Sequence, residues 1–78
     1  MEISNFIENL KSVFEETNPE LLTSDCIFKN LDEWSSLIAL AVIAMVDEEY
    51  NVAIKGDDIR NSETVQQLFD IVKSRLNV

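Results

Sequence analysis

The chain has no histidine, a single cysteine, a single glycine and a single proline among its 78 residues, and only 6 basic residues against 15 acidic ones. Without histidine there is no Ser–His or Cys–His nucleophilic pair and no imidazole ligand for a metal. The lone Cys26 permits no intrachain disulfide, which excludes a disulfide-framed secreted fold, and it reads as a small apolar core residue. One Gly and one Pro are too few for the turns of an all-β chain, so helices are favoured. The formal charge of −9 repels nucleic-acid phosphates and anionic membranes. It either steers the chain towards proteins with Lys/Arg patches or simply keeps it in solution, and charge does not separate the two. The opening Met1-Glu2-Ile3-Ser4 lacks the basic and apolar regions of a signal peptide, so a cytoplasmic location is expected.

What the chain does have is apolar residues, at 46%, enough for one core in one domain over residues 1–78. Ile3, Phe6, Ile7, Leu10, Val13 and Phe14 recur at spacings of three and four, an amphipathic helix that Asn18-Pro19 is expected to end. From about Glu20 to Ser35 no period is sustained, which predicts a long loop pinned by Leu21, Leu22, Ile27, Phe28 and Leu31. Leu37 to Val46 is an uncharged apolar run followed by Asp47-Glu48-Glu49-Tyr50. Too short to span a bilayer, where about 20 residues are needed, it predicts a helix buried on most of its faces. Ser35 and Ser36 stand at its start as caps, and it ends near Tyr50 or Asn51. Val52-Ala53-Ile54 is an extended link, Lys55-Gly56-Asp57-Asp58 a turn, and Asp58 to Asn61 one helical turn. Thr64-Val65-Gln66-Gln67 fits a capping box, and Val65, Leu68, Phe69, Val72 and Leu76 stripe a last helix. The whole is an all-α chain, a small bundle.

Few residues offer chemistry. Asp47, Glu48 and Glu49 fan over different faces of a helix instead of converging on one ion, and Asp57-Asp58 lacks the alternating ligands of a calcium loop. There is no glycine-rich phosphate loop and no metal-ligand spacing, so an enzyme is not expected. What remains is Leu31-Asp32-Glu33-Trp34-Ser35-Ser36-Leu37, a polar loop delivering two serines to the start of an apolar helix.

That stretch resembles the acyl carrier protein family, whose attachment motif is Asp-Ser-Leu, often Leu-Asp-x-Trp-Asp-Ser-Leu. The likeness runs along nearly the whole chain in order: Phe28 upstream, Asp47 to Ile54 like the family's acidic stretch and apolar link, and Thr64-Val65-Gln66-Gln67-Leu68 like its last helix start. The resemblance implies a four-helix bundle of three main helices and one short one with a long first loop. It implies that Ser36 accepts 4'-phosphopantetheine from coenzyme A through a separate phosphopantetheinyl transferase, and that acyl groups ride on the arm as thioesters. A phosphodiester at the first turn of a helix meets unpaired N–H groups and the positive end of the dipole, which agrees with that role. It further implies that the lining between the second and third helices, drawn from Phe28, Met45, Val46, Ile54, Ile59 and Leu68, parts to shelter an acyl chain. These six are otherwise core.

Two departures stand out. Ser35 occupies the place of the family's Asp, which removes a magnesium ligand or a contact for a basic enzyme groove. Ile38, Ala39 and Ala41 stand where acidic recognition residues are common, and an unbroken apolar decapeptide cannot hide every side chain. Partner docking by hydrophobic contact at Trp34, Ser35, Leu37, Ile38 and Ala41, with Asp47 and Glu48 meeting basic patches, is the corresponding expectation; Trp34 also pins the loop to the bundle. The function expected is a monomeric acyl carrier in fatty-acid-type or polyketide-type synthesis, served by acyl-loading and acyl-processing enzymes. The alternatives are an aminoacyl or peptidyl carrier of a nonribosomal or cell-wall pathway, and a helical interaction module that never carries an arm.

Overall fold

A computed structural model describes residues 2–76; the ends of the domain expected over 1–78, Met1 and residues 77–78, lie outside the described residues. The described residues contain four α-helices and no strand: α1 (Ile3–Val13), α2 (Ser36–Tyr50), α3 (Gly56–Arg60) and α4 (Val65–Arg75). The chain is all-α, as composition predicts. α1 packs on α2 and α4, and the short α3 bridges α2 and α4. Phe6, Leu10, Phe14, Val42, Val46, Leu68 and Val72 fill the space between them, none more than 1% exposed.

The periodicity of α1 and α4 selects their buried faces directly. Phe6 and Leu10 go inward from α1, and Val65, Leu68, Phe69 and Val72 from α4. α4 opens on the expected capping box: Thr64 Oγ1 accepts from Gln67 N at 3.2 Å, and Gln67 Oε1 accepts from Thr64 N at 3.4 Å. The loop completes that closure, because the Cys26 carbonyl accepts from Val65 N at 3.0 Å and the Ser24 carbonyl from Gln66 N at 2.9 Å. The orphan donors of the first turn of α4 thus hold the long loop in place.

Two boundaries and the make-up of the long loop differ from the sequence reading. α1 stops at Val13, well short of Asn18-Pro19, because Phe14 leaves helical geometry (φ −90°, ψ 64°) to bury its ring in the core. The Glu33 carboxylate then accepts from Glu16 N at 3.1 Å and Thr17 Oγ1 at 2.7 Å, satisfying the chain beyond the helix end. The long loop contains two 3-10 turns, Pro19–Leu21 and Phe28–Asn30. The first is capped by Asn18 Oδ1, which accepts from Glu20 N at 3.0 Å. Of the loop's apolar residues, Leu22 and Phe28 are buried and Leu31 half-buried, whereas the side chains of Leu21 and Ile27 stay exposed. α3 begins at Gly56, earlier than the expected Asp58, because the Asp58 carboxylate reaches back to accept from Lys55 N at 2.8 Å and so starts the helix ahead of itself. The same carboxylate accepts two bonds from the Arg75 guanidinium, at 2.5 and 2.7 Å, tying α3 to the end of α4.

α2 is the main correction. The uncharged run from Leu37 to Val46 is not buried on most of its faces: Val42, Met45 and Val46 are buried, but Leu37 is 75% and Leu40 61% exposed. Of the residues expected outside, Ala41 is exposed, while Ile38 and Ala39 are half-buried against the core. One face of α2 suffices to meet α1 and α3, and the opposite stripe is left in solvent however apolar it is.

At its far end α2 is clamped. Asn51 terminates it in the left-handed conformation (φ 55°), which an asparagine accommodates, and its N–H bonds the Asp47 carbonyl at 2.9 Å. The Tyr50 hydroxyl donates to Asn5 Oδ1 at 2.9 Å and accepts from Asn9 Nδ2 at 2.8 Å, both on α1.

Candidate functional site

The start of α2 is built differently. Ser35 is extended (φ −161°, ψ 171°), and its Oγ accepts from Ile38 N at 3.2 Å while its carbonyl accepts the first helical bond, from Ala39 N at 2.9 Å. The backbone N–H groups of Ser36 and Leu37 have no hydrogen-bond partner among the described residues. Ser36, the first residue of the helix, is exposed. Ser12, Ser62 and Ser74 each donate their hydroxyl to a backbone carbonyl three or four residues back, whereas the hydroxyl of Ser36 has no such bond.

The approach to Ser36 is rigid. Trp34 is half-buried, its ring stacked on Phe14 (6.2 Å, 16°) and edge-on to Phe28 (5.2 Å, 67°), and its backbone N–H donates to the Leu31 carbonyl at 3.0 Å. Together with the Glu33 bonds, this fixes the loop up to one residue before the cap. A helix start held this firmly, with two free donors and an unengaged hydroxyl, has the donors a phosphodiester on Ser36 would need.

Beside Ser36 runs a groove of about 430 Å³ between α2, α3 and the Phe28–Asn30 turn. Trp34, Ser35, Ser36, Ala39, Leu40, Ile43, Gly56 and Ile59 line it together with Lys29 and Arg60. Of the six expected lining residues, only Ile59 reaches this groove; Phe28, Met45, Val46, Ile54 and Leu68 are core, none more than 8% exposed. Lys29 and Arg60 were not anticipated. They lie far apart in sequence, and no local pattern marks them; the bond from Lys29 Nζ to the Arg60 carbonyl, 2.9 Å, exists only in the folded chain.

The exposed stripe of α2 carries Leu37, Leu40, Ala41 and Ala44, then Asp47 and Glu48. These spacings of three and four make one face, apolar beside Ser36 and acidic about 16 Å further along the helix. Of the expected docking residues, Leu37, Ala41, Asp47 and Glu48 share it and Ser35 lies exposed at its head, while Ile38 and Trp34 turn towards the core; Leu40 belongs to it and went unrecognised.

A second hollow, of about 510 Å³, lies on the other side of the loop and is lined by Glu16, Thr17, Asn18, Leu21, Leu31, Asp32 and Glu33. Its Glu33 carboxylate is already bonded to Glu16 and Thr17. Cys26 is half-buried, and burial pushes its thiol above the ordinary value, away from a reactive thiolate. Among the described residues no three His, Cys, Asp or Glu side chains are grouped to hold a metal, and no helix is long and apolar enough to cross a membrane. Compared with protein-family models, with curated proteins and with solved structures, the chain finds no match in any of the three.

Proposed function

We propose that the chain is an acyl carrier protein, a four-helix module that displays acyl groups on a 4'-phosphopantetheine arm attached to Ser36. The observation that carries this reading is an exposed serine, its hydroxyl unengaged, on the first turn of a helix whose N–H groups at Ser36 and Leu37 are free. The ordered resemblance of the sequence to carrier proteins, from Phe28 to Leu68, supports it independently.

Each part of the chain has a task in this reading. Ser35 caps α2 and leaves the two donors that would face the phosphodiester. Trp34 and Glu33 hold the loop so that a phosphopantetheinyl transferase meets a fixed hydroxyl. The arm supplies the reactive thiol on which acyl groups are held; the protein's own thiol, Cys26, is half-buried and held away from its thiolate. The stripe from Leu37 to Glu48 is the docking face for acyl-loading and acyl-processing enzymes that pair an apolar contact with a basic patch. A fully buried leucine contributes about 1.5–3 kcal/mol, so leaving Leu37 and Leu40 in water forgoes stability and favours a surface kept for partners.

Intact mass after co-expression with a broad-specificity transferase tests the reading. A gain equal to one phosphopantetheine, absent in Ser36→Ala, is the expected result. An unchanged wild-type mass rejects it and leaves the stripe on α2 as the surface of an unmodified interaction module.

A further inference from the structure

The groove beside Ser36 carries the wrong charge for the protein it belongs to. Carboxylates outnumber cations 15 to 6, yet two of the six cations, Lys29 and Arg60, line this groove and no carboxylate does. The hollow across the loop follows the bulk composition, with Glu16, Asp32 and Glu33 and no cation.

Of the two groove cations, Lys29 is held in place by its contacts. The Lys29 ammonium gives one of its N–H groups to the Arg60 carbonyl at 2.9 Å, and it stands 5.9 Å from the centre of the Phe28 ring, so its place at the end of α3 is fixed while further donors stay free. The Arg60 guanidinium pairs with Asp57 one turn earlier, an exposed contact that contributes little and can be exchanged for another anion. The same groove takes apolar walls from Ala39, Leu40, Ile43 and Ile59. The occupant that complements this surface has an apolar middle and an anionic end.

Resting on the carrier reading, we infer that the groove receives a short acyl group ending in a carboxylate, the half-thioester of a dicarboxylic acid, and discriminates against cargo ending in an ammonium. The phosphodiester of the arm is also an anion, but at Ser36 it has the free N–H groups of Ser36 and Leu37 and has no need of Lys29 and Arg60. The same charge separates the acyl from the aminoacyl carrier: an ammonium-ended chain brought beside Lys29 and Arg60 meets like charge.

The test loads Ser36 from coenzyme A thioesters with three five-carbon chains, pentanoyl, glutaryl and 5-aminopentanoyl, beside the unloaded arm, and intact mass verifies each loading. Glutaryl is expected to move the amide signals of Lys29, Ile59 and Arg60 and to raise Tm above the pentanoyl and unloaded forms. Both effects are expected to vanish in the Lys29→Gln/Arg60→Gln variant and in high salt, and 5-aminopentanoyl is expected to move the same signals least. Failure to load would overturn the carrier reading and the inference together. Clean loading with equal responses to the three chains, or the full response already present with the unloaded arm, would overturn the inference alone.

Discussion

α2 and α4 both start on a hydroxyl residue that caps the third N–H beyond it, and there the likeness ends. At α4 the remaining donors of Val65 and Gln66 are taken by loop carbonyls, and Thr64 is half-buried. At α2 the donors of Ser36 and Leu37 are left open, and the residues around them are exposed. The first start is a structural joint and the second a display. The two far ends are both closed, α2 by Tyr50 and Asn51 and α4 by Arg75. A clamped helix with one open end keeps the Ser36 hydroxyl and two backbone donors exposed at a fixed place.

The sharpest way to break this comparison is through leucines in the first two turns of each helix. Leu68 is 1% exposed and Leu40 is 61% exposed. Leu68→Ala is expected to cost about 2–5 kcal/mol, the range for a buried leucine truncated to a cavity. Leu40→Ala is expected to stay within about 0.5 kcal/mol, as for ordinary surface positions, while lowering turnover with partner enzymes. Urea unfolding of both variants decides it; a comparable loss in Leu40→Ala would show that the α2 start is a joint after all.

That contrast marks where the sequence could be read and where it could not. α1 and α4 alternate polar and apolar residues at helical spacing, so Phe6, Leu10, Leu68 and Val72 identify their buried faces without a structure. The Thr64–Gln67 box was legible because its two residue types stand at the required spacing. α2 is apolar on all sides between Leu37 and Val46, so nothing local distinguishes exposed Leu40 from buried Val42. The place of Ser36 at a helix start was legible because the Ser35-Ser36 pair stands directly before an uncharged apolar run, a linear property. The groove was not, since it joins Lys29 on the loop to Arg60 on α3, and the loop is ordered by carbonyls of Ser24 and Cys26 that carry no side-chain signature.

The caps come next in size. Replacing an N-cap hydroxyl residue by alanine costs about 0.5–2 kcal/mol. Thr64→Ala is expected towards the upper part of that range, because it breaks both halves of the capping box: the Gln67 donor loses its partner and the Gln67 return bond loosens with it. Ser35→Ala is expected near the lower end, since water reaches the Ile38 donor at an exposed start. Ser35→Asp keeps the cap and adds a carboxylate next to the dipole, so it is expected to hold stability and to speed arm transfer. A Ser35→Ala loss equal to that of Thr64→Ala, read from urea midpoints, would erase the distinction between the two starts.

The smallest effect is expected at the closed end of α4. Asp58 has its carboxyl held below the ordinary value first by its bonds from Arg75 and then by the Lys55 N–H, so it titrates at lower pH in the folded chain than in the unfolded one. Its contribution is therefore complete above its unfolded pKa, near 3.8, and disappears as pH falls through the lower folded value. Wild type is expected to be more stable than Asp58→Asn at pH 7, with the gap closing as pH falls below the unfolded value near 3.8. From Trp34 to Val46 the chain has no titratable side chain, so the amide signals of Leu37, Ile38 and Leu40 should hold still while those of Lys55 and Arg75 follow Asp58. If the Ile38 signal instead moved with the same midpoint, the open start of α2 would be coupled to the α3–α4 joint, and display and clamp would be parts of one device.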